Sequence, residues 1–317
     1  AIKREVDPMI TSNCLSEAER RAPIQGILKY VGETPFCRLK SRLGCSEIFV
    51  KLESFNAGNS IKTRVARQMV LQAWRQGVIR QGSTVIEPTG GNTGVGIALA
   101  AATLGFHFIA VVPDNYSQAR IELLKALGAQ VELSRSSSGN DSHIVLAHEM
   151  LARNPDYVYL DQFSNPACID SHYSGTAVEI LRKCTPDAFV CSVGSGATFT
   201  GVGRRLRLAN PDIHLQIVQP KGCDIINGRA IQHQVEGTAL GIRPPLLDYD
   251  IISSIHDVEW EEIVKELRLL ARTEGLFLGP SSGANIVGAK VLAAKLGPGK
   301  TVCTVAPDGG AYYTGIF

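Results

Sequence analysis

Residues 84–94 read Thr84-Val85-Ile86-Glu87-Pro88-Thr89-Gly90-Gly91-Asn92-Thr93-Gly94. A short apolar run ends at Pro88, and a glycine-rich turn hands the chain to the uncharged segment 92–104, which has the length and small residues of a buried helix. The next run, 107–112, is β-rich again through Phe108, Ile109, Val111 and Val112. Strand, helix and second buried strand in this order predict a parallel sheet covered by helices. Residues 94–112 are nearly uncharged and about long enough to cross a bilayer. Gly105 and His107 interrupt them, so a helix followed by a strand is expected there and no membrane partner.

The same alternation extends outward in both directions. Further strands are predicted at 47–52, 131–133, 157–160, 188–191, 214–218 and 301–305, and helices at 61–76, 118–127, 141–153, 198–210 and 259–274. This pattern is that of an α/β protein with mostly parallel sheets flanked by helices. At 317 residues the chain can hold two domains or one large unit, and 44% hydrophobic residues suffice for a buried core. A net charge of +2, with Lys and Arg scattered, argues against a nucleic-acid partner. Eight cysteines show no C-x-x-C pair and no metal-ligand spacing, so free buried thiols and no metal are expected. Lys3, Arg4 and Glu5 leave no apolar signal segment at the start, and a cytoplasmic location is expected.

Chemistry concentrates in three glycine-rich turns and one lysine. In the first turn, backbone N–H groups and the helix dipole create an anion site, with Thr89, Asn92 and Thr93 adding donors; a capped tight turn would look the same. The second, Val193-Gly194-Ser195-Gly196-Ala197-Thr198, again joins a strand to a helix and suits a phosphate. It fails as a dinucleotide fingerprint, because the spacing is incomplete and Gln219 stands where an acidic ribose ligand belongs. The third, Leu278-Gly279-Pro280-Ser281-Ser282-Gly283-Ala284, leads to a helix from Asn285, and its serines read equally as an N-cap. In Phe55-Asn56-Ala57-Gly58-Asn59-Ser60-Ile61-Lys62-Thr63-Arg64, a Ser cap places Lys62 in a first helical turn, against the dipole. Burial and a positive neighbourhood would make it a nucleophilic amine; a surface lysine is the plainer alternative.

Taken together, in this order and at these spacings, the four elements resemble the fold-type II pyridoxal-phosphate enzymes, specifically the cysteine synthase and cystathionine β-synthase group. The resemblance runs from Gly32-Glu33-Thr34-Pro35 to Asp308-Gly309-Gly310. It implies a tryptophan synthase β-like architecture of two domains: 1–55 plus 166–317 as the larger, and 56–165 as a smaller mobile one carrying Lys62. It implies pyridoxal 5′-phosphate held as a Schiff base on Lys62, its 3′-oxygen met by Asn92. Its phosphate would lie on Gly194, Ser195, Gly196, Ala197 and Thr198, and its ring nitrogen on Ser281. Thr89, Gly90, Gly91, Thr93 and Gln162 would hold the substrate carboxylate. A homodimer is expected on the same ground.

The implied reaction is β-replacement on an O-activated L-serine, either O-acetylserine or O-phosphoserine, through an α-aminoacrylate. Lys62 would hold the cofactor and then take the Cα proton. A serine hydroxyl at the ring nitrogen keeps the pyridine neutral, which favours loss of a β-leaving group. A small nucleophile, sulfide in a cysteine synthase, would then add. Closure of the smaller domain would keep water out.

Three departures from the family pattern stand out. Gly90 replaces the usual serine of the asparagine loop, and Ser195-Gly196-Ala197 replaces Thr-Gly-Gly. Gly237-Thr238-Ala239-Leu240-Gly241-Ile242-Arg243-Pro244-Pro245 replaces a segment containing glycines and Phe, and Arg243 is expected either to meet a substrate phosphate or carboxylate or to pair with Asp248. Relatives that join O-phosphoserine to glutamate for diaminopropionate biosynthesis also carry an arginine near here, which opens an amine-nucleophile alternative. Pro220-Lys221-Gly222-Cys223 and His172-Tyr173-Ser174-Gly175 look similar to that synthase too. No regulatory module is expected after Tyr313, and no haem site around Cys14. A serine/threonine dehydratase, a catalytically quiet cofactor-binding sensor and a nucleotide-binding Rossmann protein are the rival expectations.

Overall fold

The computed structural model describes residues 24–40, 46–139 and 141–317, so the expectations for Cys14 and the first 23 residues lie outside it. Its strands in chain order are β1 (Phe36–Arg38), β2 (Glu47–Leu52), β3 (Thr84–Glu87), β4 (His107–Pro113), β5 (Gln130–Ser134), β6 (Tyr157–Tyr159), β7 (Ala188–Ser192), β8 (His214–Pro220), β9 (Ser254–Val258) and β10 (Thr301–Ala306). They form a four-stranded sheet in the order β5-β4-β3-β6 and a six-stranded sheet in the order β1-β2-β10-β7-β8-β9. Every pairing is parallel except β1 on β2. The expected mixed α/β architecture with two mostly parallel sheets is therefore present.

The central strands are covered on both faces, as parallel sheets require. Phe108, Ile109, Ala110, Val111 and Val112 of β4 are all buried, and so are Phe189, Val190 and Cys191 of β7. Each large apolar side chain so placed contributes ~1.5–3 kcal/mol. Helices Lys62–Arg75 and Asn92–Leu104 join β3 and β4 in one core cluster through Val65, Met69, Ile97, Val85 and Phe108. Gly96 lets the two helices touch, since a Cβ there would lie 2.7 Å from that of Ala66. Residues 94–112 split into a helix and β4 as expected, and among the described residues no helix is long and apolar enough to cross a membrane.

All eight predicted strands are found. The two that were missed, β1 and β9, are the two edges of the larger sheet. Edge strands are short and half-exposed, so they lack the unbroken apolar run that identifies a central strand. The third turn also differs: its helix runs Pro280–Leu296, not from Asn285, with Gly279 as N-cap. Proline lacks an N–H that the first turn leaves unused anyway, so Pro280 opens the helix.

A buried ion cluster fastens the helix that begins at Lys62. The Arg64 guanidinium donates to Glu53 at 2.6 Å and to Glu179 at 2.6 and 2.7 Å. Lys51 Nζ lies 2.7 Å from Glu179 and also donates to Thr34. The four charged side chains are 0–9% exposed and cancel in sign. Burial opposes ionisation of Glu179, but hydrogen bonds and charge from Arg64 and Lys51 outweigh it and hold its carboxyl at about 2.

Candidate functional site

Ligands of open α/β sheets bind beyond the carboxyl ends of the strands. Here the loops after β3, β6, β7 and β10 converge on one cavity of about 230 Å³ between the two sheets. Lys62, Asn92, Ser195, Thr198 and Ser281 line it, as do Thr89, Gly91, Thr93, Gln162 and Gly194. Residues scattered over more than two hundred positions of sequence are thus neighbours in space.

Lys62 is the first residue of its helix, with Ser60 Oγ accepting its backbone N–H at 3.2 Å. Its amine makes no ion pair among the described residues. Burial pushes its pKa below the ordinary lysine value, with the thiols of Cys168 and Cys191 opposing weakly. The positive neighbourhood expected from the sequence is not the cause; desolvation is. Lys51 is more deeply buried than the half-buried Lys62 residue, but Glu179 and Thr34 occupy it.

The second turn is shaped by its contacts. Gly196 adopts φ +96°, a left-handed conformation open to glycine, and caps helix Ala197–Ala209. Any side chain at Gly194 would strike the carbonyl of Gly237, so the 236–240 segment closes over the turn. Thr198 Oγ1 lies 3.2 Å from His172 Nε2, whose Nδ1 lies 3.0 Å from Thr176. Burial, reinforced by the charges of Arg64 and Lys62, holds His172 neutral. Ala197 is buried behind the turn; only its N–H faces the helix start, where it meets Ser195 Oγ at 3.4 Å.

In the serine pair, Ser282 Oγ donates to the Asp308 carbonyl at 3.2 Å, which leaves Ser281 as the hydroxyl lining the cavity. Asn92 Nδ2 donates to Asp308 Oδ2 at 2.9 Å, and Thr93 Oγ1 donates to Gln162 Oε1 at 2.6 Å. Burial pushes the Asp308 carboxyl up, against the hydrogen bonds of Asn92 and Tyr313. The donor set fits the expected cofactor: hydroxyls and N–H groups at a helix start for a phosphate, a neutral hydroxyl for a ring nitrogen, and an unpaired amine for an aldehyde.

Gly90 is packed away from the cavity, where a Cβ would lie 2.7 Å from both Tyr116 Cε1 and Val112 Cγ1. Arg243 is the clearest correction. It is exposed, does not line the cavity, and lays its guanidinium over the Tyr249 ring at 4.3 Å. Its alternative partner, Asp248, is taken by Arg204 at 2.7 Å. The arginine that does line the cavity is Arg120, on helix Gln118–Ala126, together with Glu236, Asp308 and Tyr313.

Glu87 ends β3 and is fully buried, accepting the N–H groups of Asp161 and Gln162 at 3.1 and 3.0 Å. It thereby sets the backbone that carries Gln162. Burial raises its carboxyl from the ordinary 4.5 to about 7, against those two hydrogen bonds. Between these values the folded protein keeps a proton that the unfolded chain gives up. Its contribution is therefore most favourable below about 4.5 and is lost as pH rises to about 7, by on the order of 3 kcal/mol at ~1.4 kcal/mol per pH unit. Urea unfolding at pH 5 and pH 8 is expected to show a smaller decline in Glu87→Gln than in the unmodified chain. Parallel declines would show that Glu87 does not titrate in this window.

Comparison with known proteins agrees with the geometry. The family model "Pyridoxal-phosphate dependent enzyme" matches residues 27–308. The "Probable cysteine synthase" of Bacillus subtilis (strain 168) is 38% identical over 292 residues, covering 89% of this chain and 94% of that protein. The cysteine synthase of Aquifex aeolicus (strain VF5) is 38% identical over 301 residues, covering 90% of each. The crystal structure of an O-ureido-L-serine synthase superposes with a TM-score of 0.86 at 34% identity, covering 90% of this chain and 92% of that one.

Proposed function

The chain belongs to the pyridoxal-phosphate dependent enzymes, as a β-substituted alanine synthase of the cysteine synthase type, and from that premise we propose that it joins sulfide to an O-activated L-serine to give L-cysteine. The observation that carries this reading is the buried, unpaired Lys62 amine opening on the same cavity as the 89–93 and 194–198 turns.

Bound there, pyridoxal 5′-phosphate supplies an aldehyde that condenses with amines and a ring that accepts negative charge from Cα. Residues 194–198 would hold its phosphate and Asn92 and Ser281 its ring, with the Lys62 amine placed to meet its aldehyde. Thr89, Gly91, Thr93 and Gln162 receive the substrate carboxylate; the Thr93–Gln162 hydrogen bond ties the loops after β3 and β6 together. Lys62 Nζ then removes the Cα proton. The Cβ–O bond breaks with its electron pair going to acetate or phosphate. The nucleophile's lone pair forms the new bond to Cβ, its proton leaves, and Nζ returns a proton to Cα. Ser281 would offer a neutral hydroxyl to the ring nitrogen, which directs the charge toward β-elimination. The family likeness further supports a cytoplasmic homodimer.

A second reading has an amine carrying a carboxylate, such as glutamate, as the nucleophile with O-phosphoserine as donor. Arg120 in the cavity wall favours it. The experiment is to incubate holoenzyme with O-acetyl-L-serine or O-phospho-L-serine, each with sulfide or L-glutamate, and to identify products by mass spectrometry. L-cysteine supports the first reading, and a glutamate adduct the second. Release of an oxo acid and ammonia with no adduct would make the chain a dehydratase instead, and no conversion a quiet binder.

A further inference from the structure

Among the described residues, Lys62 and Arg120 are the two cationic side chains lining the cavity, and the cofactor aldehyde would engage Lys62. Arg120 is held but not matched. Its Nη1 lies 3.4 Å from Asn92 Oδ1, and its Nη2 lies 3.3 Å from Tyr313 Oη and 3.5 Å from Glu236 Oε2. The rings of Tyr312 and Tyr313 stand 4.7 and 5.8 Å from its guanidinium carbon. The contrast with Arg64, bound by two carboxylates at 2.6–2.7 Å, is plain. The one carboxylate in direct contact with Arg120, that of Glu236, touches it through a single oxygen, from a side chain 63% exposed and free to turn to solvent; the buried Asp308 carboxylate feels its charge but is joined to it only through Asn92 and Tyr313.

We propose that Arg120 binds a second anionic group in the cavity, carried by a reactant in addition to the α-carboxylate of the serine donor; this rests on the β-replacement reading above. The planar fork of a guanidinium matches an oxyanion through two parallel hydrogen bonds. Glu236 is the resident counter-ion that the arriving anion displaces. A Cβ on Gly91 would lie 4.0 Å from Arg120 Nη1, so the subsite borders the carboxylate loop without coinciding with it. Two reactants can bring such an oxyanion: a donor whose leaving group is phosphate, or an amino-acid nucleophile with a carboxylate of its own. Arg120 makes and breaks no covalent bond in either case. Sulfide has no oxyanion to offer and gains nothing from it.

Holoenzyme is compared with Arg120→Gln and Arg120→Lys, with thermal melting to confirm that each is folded. Calorimetric titration uses inorganic phosphate and glutarate as probes. The variant lacking charge is expected to bind at least one of them on the order of 30-fold more weakly, with the lysine variant between. Kinetics then identify the source. A fall of the same order in the kcat/KM ratio of O-phospho-L-serine to O-acetyl-L-serine, carried by KM, assigns the subsite to the donor. A fall in the ratio of L-glutamate to sulfide assigns it to the nucleophile. Equal losses for every reactant, with both probes bound as tightly as before, overturn the proposal and leave Arg120 a strut between helix Gln118–Ala126 and Tyr313. An unmodified enzyme that consumes neither donor would sink the β-replacement reading, while the titrations would still decide whether Arg120 binds anions.

Discussion

Lys62→Ala is expected to abolish the borohydride-trappable link between chain and cofactor and to cut turnover by about 10²–10⁴ through loss of proton transfer alone. The protein should still fold, because the change removes a buried amine that no carboxylate compensates. Lysine is special here by elimination as well as by position. Among the described residues Lys51 is buried still more deeply, and three contacts to Thr34 and Glu179 occupy its Nζ. Peptide mass mapping after borohydride treatment is the measurement. The cofactor mass should appear on the peptide containing Lys62 and vanish in the variant; its appearance on any other lysine would end the assignment.

Arg64→Ala is expected to produce the largest loss of stability, about 3–5 kcal/mol. Two buried carboxylates, Glu53 and Glu179, would then face only Lys51. Removing one partner of a buried pair leaves an uncompensated charge, whereas replacing charges in balanced sets costs far less. Glu53→Gln combined with Arg64→Met should therefore unfold at a higher urea concentration than Arg64→Ala alone. Because Arg64 lies two residues beyond Lys62, the single variant should also lose cofactor more readily. A loss below about 1 kcal/mol, the range of exposed ion pairs, would mean that the cluster is hydrated.

Much of the site could be read from the sequence because it lies in strand-to-helix turns, where glycines and hydroxyls cluster locally. What escaped has its partners far along the chain. Arg64 meets Glu179 across 115 positions, and Arg120 meets Tyr313 across 193. No periodicity or spacing encodes such pairs. One local signal does exist: a cation in the first turn of a helix, against the dipole, marks Lys62. Arg64 and Arg120 occupy first turns too, in helices Lys62–Arg75 and Gln118–Ala126. Arg243, by contrast, stands out only for its place in an unusual segment, and that segment carries it to the surface. The missed edge strands β1 and β9 and the interrupted helix at 167–181 share a different cause. Their burial is partial or their pattern is broken, by the π-turn His172–Thr176 in the helix.

The space that a side chain would need at Gly90 is filled by Tyr116 and Val112. Serine at this position would overpack the site, which costs about 1–3 kcal/mol. A smaller residue at position 116 would make room for it, and with Gly90 unchanged would leave a void. A loop packed in this way has no room for a hydroxyl at position 90.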